Sequence, residues 1–198
     1  GWGYADELLT DEEDKNIEQR ILNNFSLSEV ETILEKWPVA RLATIDELDR
    51  PRQIPIVFVR NSTGLWSPIA GKTKRSQRLS RLEQIRLHPN VSLLLDHYEE
   101  NWNRLWWLRI EATASVVSLD GNLDLRKELE GLLQKKYSQY SQTETFLGTP
   151  TAIKLRISKY STWAANMSEF KKVLDVIVGY TTILRSVLEC DKHIMPLT

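Results

Sequence analysis

Residues 66–87 read WSPIAGKTKRSQRLSRLEQIRL, and the fold follows from how that stretch divides. A short apolar run ends at Ala70-Gly71. Lys72, Lys74, Arg75, Arg78, Arg81 and Arg86 come next, with only Glu83 opposing them. Gly71 lets the chain turn where a Cβ would obstruct. Leu79, Leu82, Ile85 and Leu87 then recur near one face at helical spacing. The stretch is therefore a strand, a basic turn and a helix. Cations at a helix start oppose the helix dipole, which favours anions there. An anion, most naturally a phosphate, held between the basic groups and the free N–H groups would resolve that conflict. The same residues also read as a solvated basic face with no ligand.

Before this stretch, Val39 to Ile45 (VARLATI) reads as a strand, Asp46 to Arg50 as a turn and Pro51 to Val59 (PRQIPIVFV) as a second strand. The run is rich in β-branched and aromatic residues, and the pair reads as a hairpin. Pro55 cannot donate to a ladder, so it marks an edge or a bulge. It is either a plain edge marker or part of a strand left unpaired so that a ligand can reach its backbone. Asn61 to Gly64 is a turn and Leu65 to Ala70 a third strand. Further upstream, Ser28 and Glu31 form a capping box for a helix carrying Val30, Ile33, Leu34 and Trp37, which Pro38 stops. Residues 1–24, with Asp6, Glu7, Asp11, Glu12, Glu13 and Asp14, read as an acidic N-terminal arm.

After the basic helix, which ends before His88-Pro89-Asn90, Val91 to Tyr98 (VSLLLDHY) reads as a fourth strand buried on both faces. Leu105 to Ser118 is a long fifth strand, Asn122 to Tyr137 a helix and Thr151 to Ile157 a last, alternating strand. Short turns between consecutive strands favour antiparallel pairing. The expected fold is mainly β with α (α+β), a six-stranded antiparallel barrel with flanking helices over residues 25–165. Residues 166–198 form a C-terminal extension, read as helical and packed on the domain or on a second subunit.

Composition narrows the function classes. The chain has 198 residues, 26 basic and 27 acidic, for a formal net charge of -1, which argues against a generic nucleic-acid binder. A single cysteine, Cys190, excludes an intrachain disulfide and a thiolate metal cluster. No signal peptide or membrane-spanning run is visible, so the expected location is cytoplasmic. No GxSxG, Walker or GxGxxG motif occurs, and no metal-ligand spacing. His97 beside Asp96 is a candidate catalytic pair or metal site, although a lone strand-end histidine is more often structural. Trp106 and Trp107 fall on opposite sheet faces, so one is core while the other faces a groove, a partner or a planar ring.

With these residues laid out, the chain resembles the flavin-binding split-barrel proteins, the pyridoxamine 5′-phosphate oxidase-like superfamily. It looks closest to the deazaflavin (coenzyme F-420)-dependent branch. The resemblance rests on VARLATID, PRQIPIVF, KTKRSQRL, HPNVSLLLDHY and NWNRLWWLR in that order, followed by YSQY and TAIKLRISKYSTWA. It covers about Leu27 to Ala165. It implies a six-stranded split barrel that dimerises, with FMN or the deazaflavin coenzyme at the subunit interface. Carried over by position, Lys72, Lys74 and Arg75 bind the phosphate, and Arg78, Arg81 and Arg86 fall to the solvated helix face. Ile54, Pro55, Ile56 and Val57 lie along the ring through backbone groups. Arg41 and Thr44 sit near ring or phosphate, and Trp106 comes from the facing strand. KTKR stands where the oxidases themselves carry a Ser-Arg-Lys signature, which sets pyridoxal phosphate synthesis aside. The implied activity is hydride transfer on a small molecule, chemistry that belongs to the cofactor and needs no catalytic dyad. A non-catalytic flavin-binding or sensor protein on the same fold is the second reading. A single-stranded nucleic-acid binder is the third.

Overall fold

The computed structural model describes residues 25–69, 75–146 and 148–177, with backbone only at 75–79. The acidic arm, Lys72 and Lys74, and the end of the C-terminal extension lie outside the described residues.

Helix α1 (Leu27–Lys36) begins at Ser26, whose hydroxyl accepts from Glu29 N at 3.3 Å while Glu29 Oε2 accepts from Ser26 N at 2.7 Å. The capping box is thus two residues earlier than Ser28/Glu31. The sequence SLSEVE holds both options, and burial decides between them. Capping at Ser26 puts Phe25 just outside the helix and Val30 one turn in, both in the core, as a hydrophobic staple. Capping at Ser28 would give that role to Leu27, which is exposed.

One antiparallel sheet follows. Its strands are β1 (Ala40–Ile45), β2 (Pro51–Ile56), β3 (Val59–Asn61), β4 (Gly64–Pro68), β5 (Asn90–His97), β6 (Trp106–Ser118) and β7 (Thr151–Ala164). Their spatial order is β2-β1-β5-β6-β7-β4-β3. There are seven strands where six were expected, because the run from Pro51 breaks at Val57-Phe58 and its far end, Val59, pairs with Trp66 on β4. Pro55 lies on an edge strand, as its missing donor requires. Gly64 adopts φ 143°, and a Cβ there would meet the Leu155 carbonyl oxygen at 2.6 Å, so the β3–β4 turn needs glycine.

This order fixes the shape. Seven strands laid flat would separate β2 from β3 by about 29 Å. The two residues joining them reach only about 11 Å. The sheet therefore curls until its two edges come together at Val57-Phe58. No ladder joins β2 to β3 among the described residues, so the barrel is split along that seam.

Helix α2 (Arg75–Leu87) sends Leu82 and Ile85 into the core beside Ala40, Leu42 and Leu93. Helix α3 (Leu123–Lys136) starts at the Asn122 cap and buries Leu129 and Leu133 in a second cluster with Val59, Trp66 and Ala152. Residues 167–177 form helix α4, whose Phe170 stacks on Phe25 at 4.0 Å over the barrel end.

The seam is held from outside the sheet. Tyr137, at the end of α3, accepts from Phe58 N at 3.0 Å, and its hydroxyl faces Phe58 O at 2.8 Å and Pro38 O at 2.9 Å. Desolvation pushes this phenol above its ordinary pKa, so it keeps its proton and its donor role. Tyr137→Phe strands the buried Phe58 N–H and is expected to cost about 1–3 kcal/mol, read by urea unfolding.

Beside it, Lys136 Nζ donates to Leu34 O at 3.0 Å and lies 3.6 Å from the Phe58 ring centroid. Burial pushes its pKa down from 10.5 to about 7, with Glu35 opposing the fall and Lys36 adding to it. Below about 7 the amine is charged in both folded and unfolded chains. Between about 7 and 10.5 only the unfolded chain holds the proton, so stability rises with pH. Relative to Lys136→Met, the wild type is expected to gain about 2 kcal/mol from pH 7 to pH 9 in parallel unfolding titrations.

Candidate functional site

Strand alternation sends every second side chain to the outer face of the sheet. Register then aligns them in cross-strand rows. Gln53, Ala43, Ser92 and Glu111 form one row, and Pro55, Arg41, Leu94 and Arg109 the next. Asp96 and Trp107 follow, with Trp163 beyond Trp107 on β7. Of these, Arg41, Ala43, Gln53, Ser92, Leu94, Asp96, Trp107 and Arg109 border an open groove of about 430 Å³, edged by Tyr98 just after β5. No helix among the described residues covers this face, because α2 packs its apolar side into the barrel.

Two guanidiniums and an indole give the groove its chemistry. The Arg109 guanidinium sits 5.8 Å from the Trp107 ring centroid, within cation–π range. Arg41 is ion-paired to Asp96. The β1–β2 turn alongside is held by Asp46, which accepts from Leu48 N at 2.9 Å, Arg50 N and Nε at 3.0 Å and Arg52 Nε at 2.9 Å. Desolvation works against that carboxylate, but the backbone and guanidinium donors outweigh it and hold its pKa well below the usual range. Among the described residues strand β2 pairs only with β1, so one side of its backbone has no ladder partner there beside the groove.

The structure sorts the sequence-derived site residues between two faces. Arg41 lines the groove, and Pro55 is exposed opposite it. Thr44 is buried on the core side and donates to Gln84 Oε1 of α2 at 2.8 Å. Ile54 and Ile56 turn toward the core, and Val57 packs on the second cluster. Trp106 is 0% exposed, edge-on to Trp37 at 4.7 Å and Phe170 at 5.8 Å, and has no surface to offer a ligand in this chain. Its neighbour Trp107 is the tryptophan in the groove. Arg75 opens α2, whose first turn holds no acidic residue. Arg81, assigned from sequence to the solvated face, is half-buried. Desolvation lowers its pKa, and no carboxylate pairs with it among the described residues. Asp96 and His97 do not form a pair: Asp96 faces the groove, while His97 faces inward, 3.3 Å from Glu99.

Sequence reasoning put Trp106 and Trp107 on opposite faces without naming the outward one, and passed over Arg109, yet the signal was present. From 106 to 112, Trp106, Leu108, Ile110 and Ala112 are apolar, while Trp107, Arg109 and Glu111 alternate with them as an amphipathic row. That pattern names the outward tryptophan. Among the described residues no group of three or more His, Cys, Asp and Glu could hold a metal ion, and no helix is long and apolar enough to cross a membrane.

The family model described as pyridoxamine 5′-phosphate oxidase matches residues 27–164. A conserved hypothetical protein of Mycobacterium tuberculosis superposes with a TM-score of 0.57 at 15% identity, over 72% of this chain and 87% of its own. ChuZ of Campylobacter jejuni gives 0.55 at 16% identity, over 80% and 65% of the two chains. HutZ, the heme storage protein of Vibrio cholerae, gives 0.50 at 19% identity, over 70% and 93%. At these identities the likeness is one of fold. No curated protein matches the sequence.

Proposed function

Because the chain belongs to the pyridoxamine 5′-phosphate oxidase family, we propose that it is an FMN- or deazaflavin-dependent oxidoreductase acting on a small molecule as a homodimer. The observation that carries this reading is the groove itself. An indole plane, two guanidiniums and an unpaired strand edge lie side by side, which suits a planar ring bearing anionic substituents. The cofactor supplies the hydride chemistry when bound. In this reading Trp107 and Arg109 hold one flank of the ring, the backbone at residues 54–57 holds the other, and Arg41 fixes an anionic or carbonyl oxygen. Lys72, Lys74 and Arg75 anchor the phosphate. A second copy laid on the uncovered sheet face closes the groove and excludes water.

Titration with FMN and with coenzyme F-420 side by side, on protein whose mass in solution is measured in parallel, tests the proposal. One of the two is expected to bind at one per chain to a dimer. Failure of both to bind sinks it.

One observation favours a second reading, a non-catalytic cofactor-binding protein. HutZ, which shares this fold at 19% identity, is a heme storage protein, a binding role rather than a reaction. Turnover of reduced cofactor with candidate acceptors divides enzyme from binder.

A further inference from the structure

Three buried side-chain polar atoms among the described residues find no hydrogen-bond partner in the chain: His97 Nε2, Glu99 Oε1 and Trp106 Nε1. They are neighbours. His97 and Trp106 are directly opposite each other across β5 and β6, both on the core side. Side chains so placed stand about 5 Å apart at Cβ. Glu99 Oε2 lies 3.3 Å from His97 Nε2. The Trp37 ring meets both others, edge-on at 6.0 Å to His97 and 4.7 Å to Trp106. Glu99 Oε1 also lies 3.0 Å from Arg104 Nη1, close enough for charge attraction but not aligned as a hydrogen bond.

Buried polar groups are expensive to leave unpaired, so three in one place point to a common partner. Their chemistry specifies it. The indole N–H can only donate and the carboxylate oxygen can only accept, and His97 Nε2, which faces the acceptor Glu99 Oε2 at 3.3 Å, is the ring nitrogen that carries the proton and donates. The partner must therefore accept from Trp106 Nε1 and His97 Nε2 and donate to Glu99 Oε1. We infer that a resident water molecule occupies this corner, accepting from Trp106 Nε1 and His97 Nε2 and donating to Glu99 Oε1. Three hydrogen bonds are what a buried structural water typically makes.

The site has a position as well as a composition. It joins the end of β5, the start of β6 and the turn between them. That turn is ordered within itself by Asn101, which accepts from Asn103 N at 3.2 Å, and by the Arg104 N–Asn101 O bond at 2.9 Å. It begins at Tyr98, which edges the outer groove, and carries Trp102, which is 77% exposed. The water would thus pin the turn to the barrel end. This inference stands apart from the cofactor reading and does not need it.

Water-selective NMR on the ¹⁵N-labelled full chain tests it. The Trp106 indole proton is expected to show NOE and ROE cross-peaks to water of opposite sign, the mark of a long-lived bound molecule. Glu99→Leu and His97→Leu should each abolish that signature, and Glu99→Gln, which keeps an acceptor, should retain it. The inference is overturned if the wild-type indole shows only exchange with bulk water, or if the signature survives unchanged in both leucine variants. A high-resolution crystal structure gives an independent reading. A solvent peak within hydrogen-bond distance of Trp106 Nε1 and Glu99 Oε1 supports the site, and a direct bond between those side chains excludes it.

Discussion

Replacing Trp106 with alanine is expected to destabilise the protein by about 3–5 kcal/mol, the range for emptying an aromatic core position. In a chain of this length that lowers Tm by roughly 6–20 °C. The size follows from its packing. Trp106 has no exposed surface and sits among Phe25, Trp37 and Phe170, which come from the entry to α1, the exit from α1 and α4. No single side chain can relax into the space without moving the others. Trp102 is the natural control, since it is 77% exposed and Trp102→Ala should change stability by less than about 0.5 kcal/mol. Urea unfolding of the two variants, followed by a probe other than tryptophan fluorescence, compares them. A loss below about 1 kcal/mol at Trp106 would contradict the described packing. Trp106→Phe separates core from ligand: it keeps most of the packing, and cofactor affinity should not change.

The second large effect concerns binding. Lys74→Ala combined with Arg75→Ala is expected to weaken binding of the phosphate-bearing cofactor by about 10²- to 10⁴-fold. That corresponds to two charge-assisted hydrogen bonds at about 1.5–3 kcal/mol each. The helix they introduce has no acidic residue in its first turn to compete for its N–H groups. Riboflavin, which has no phosphate, should bind wild type and variant alike. Fluorescence titration with FMN, coenzyme F-420 and riboflavin reads all three. Unchanged affinity for the phosphate-bearing ligands would dismiss the phosphate assignment, and equal weakening for riboflavin would mean that the site had collapsed.

Much of the architecture was legible because strands with one buried face announce themselves by alternation. The spans of β1, β5, β6 and α3 agree with the sequence reading to within a residue. The errors have physical causes. From Ile54 to Val59 the run is apolar at every position, so nothing in it marks where β2 stops pairing and β3 begins. That break depends on which distant strand each half meets. Strand β7 runs to Ala164 rather than Ile157 because the register shifts at Glu111/Ala112, which interrupts the alternation just where Ser158, Lys159 and Tyr160 face solvent. Within the groove, Arg41 was named from the sequence and Trp107 was not, although the apolar alternation of β6 marks Trp106 as its core-facing neighbour. Arg81 looked like one more solvated cation. Its partial burial is a tertiary fact that a charge count cannot carry.

The strand order also determines when the wall of the barrel can exist. Among the described residues strands β3 and β4 meet the rest of the sheet only through β7, which pairs with β4 at Leu65–Leu155 and with β6 along its whole length. During synthesis, β1 to β6 can emerge and pair in part, but β3 and β4 have no wall to join until residues 151–164 leave the ribosome. Strand β7 is therefore the stave on which the first half of the chain waits. Until it arrives, the edges of β4 and β6 stay open to other chains.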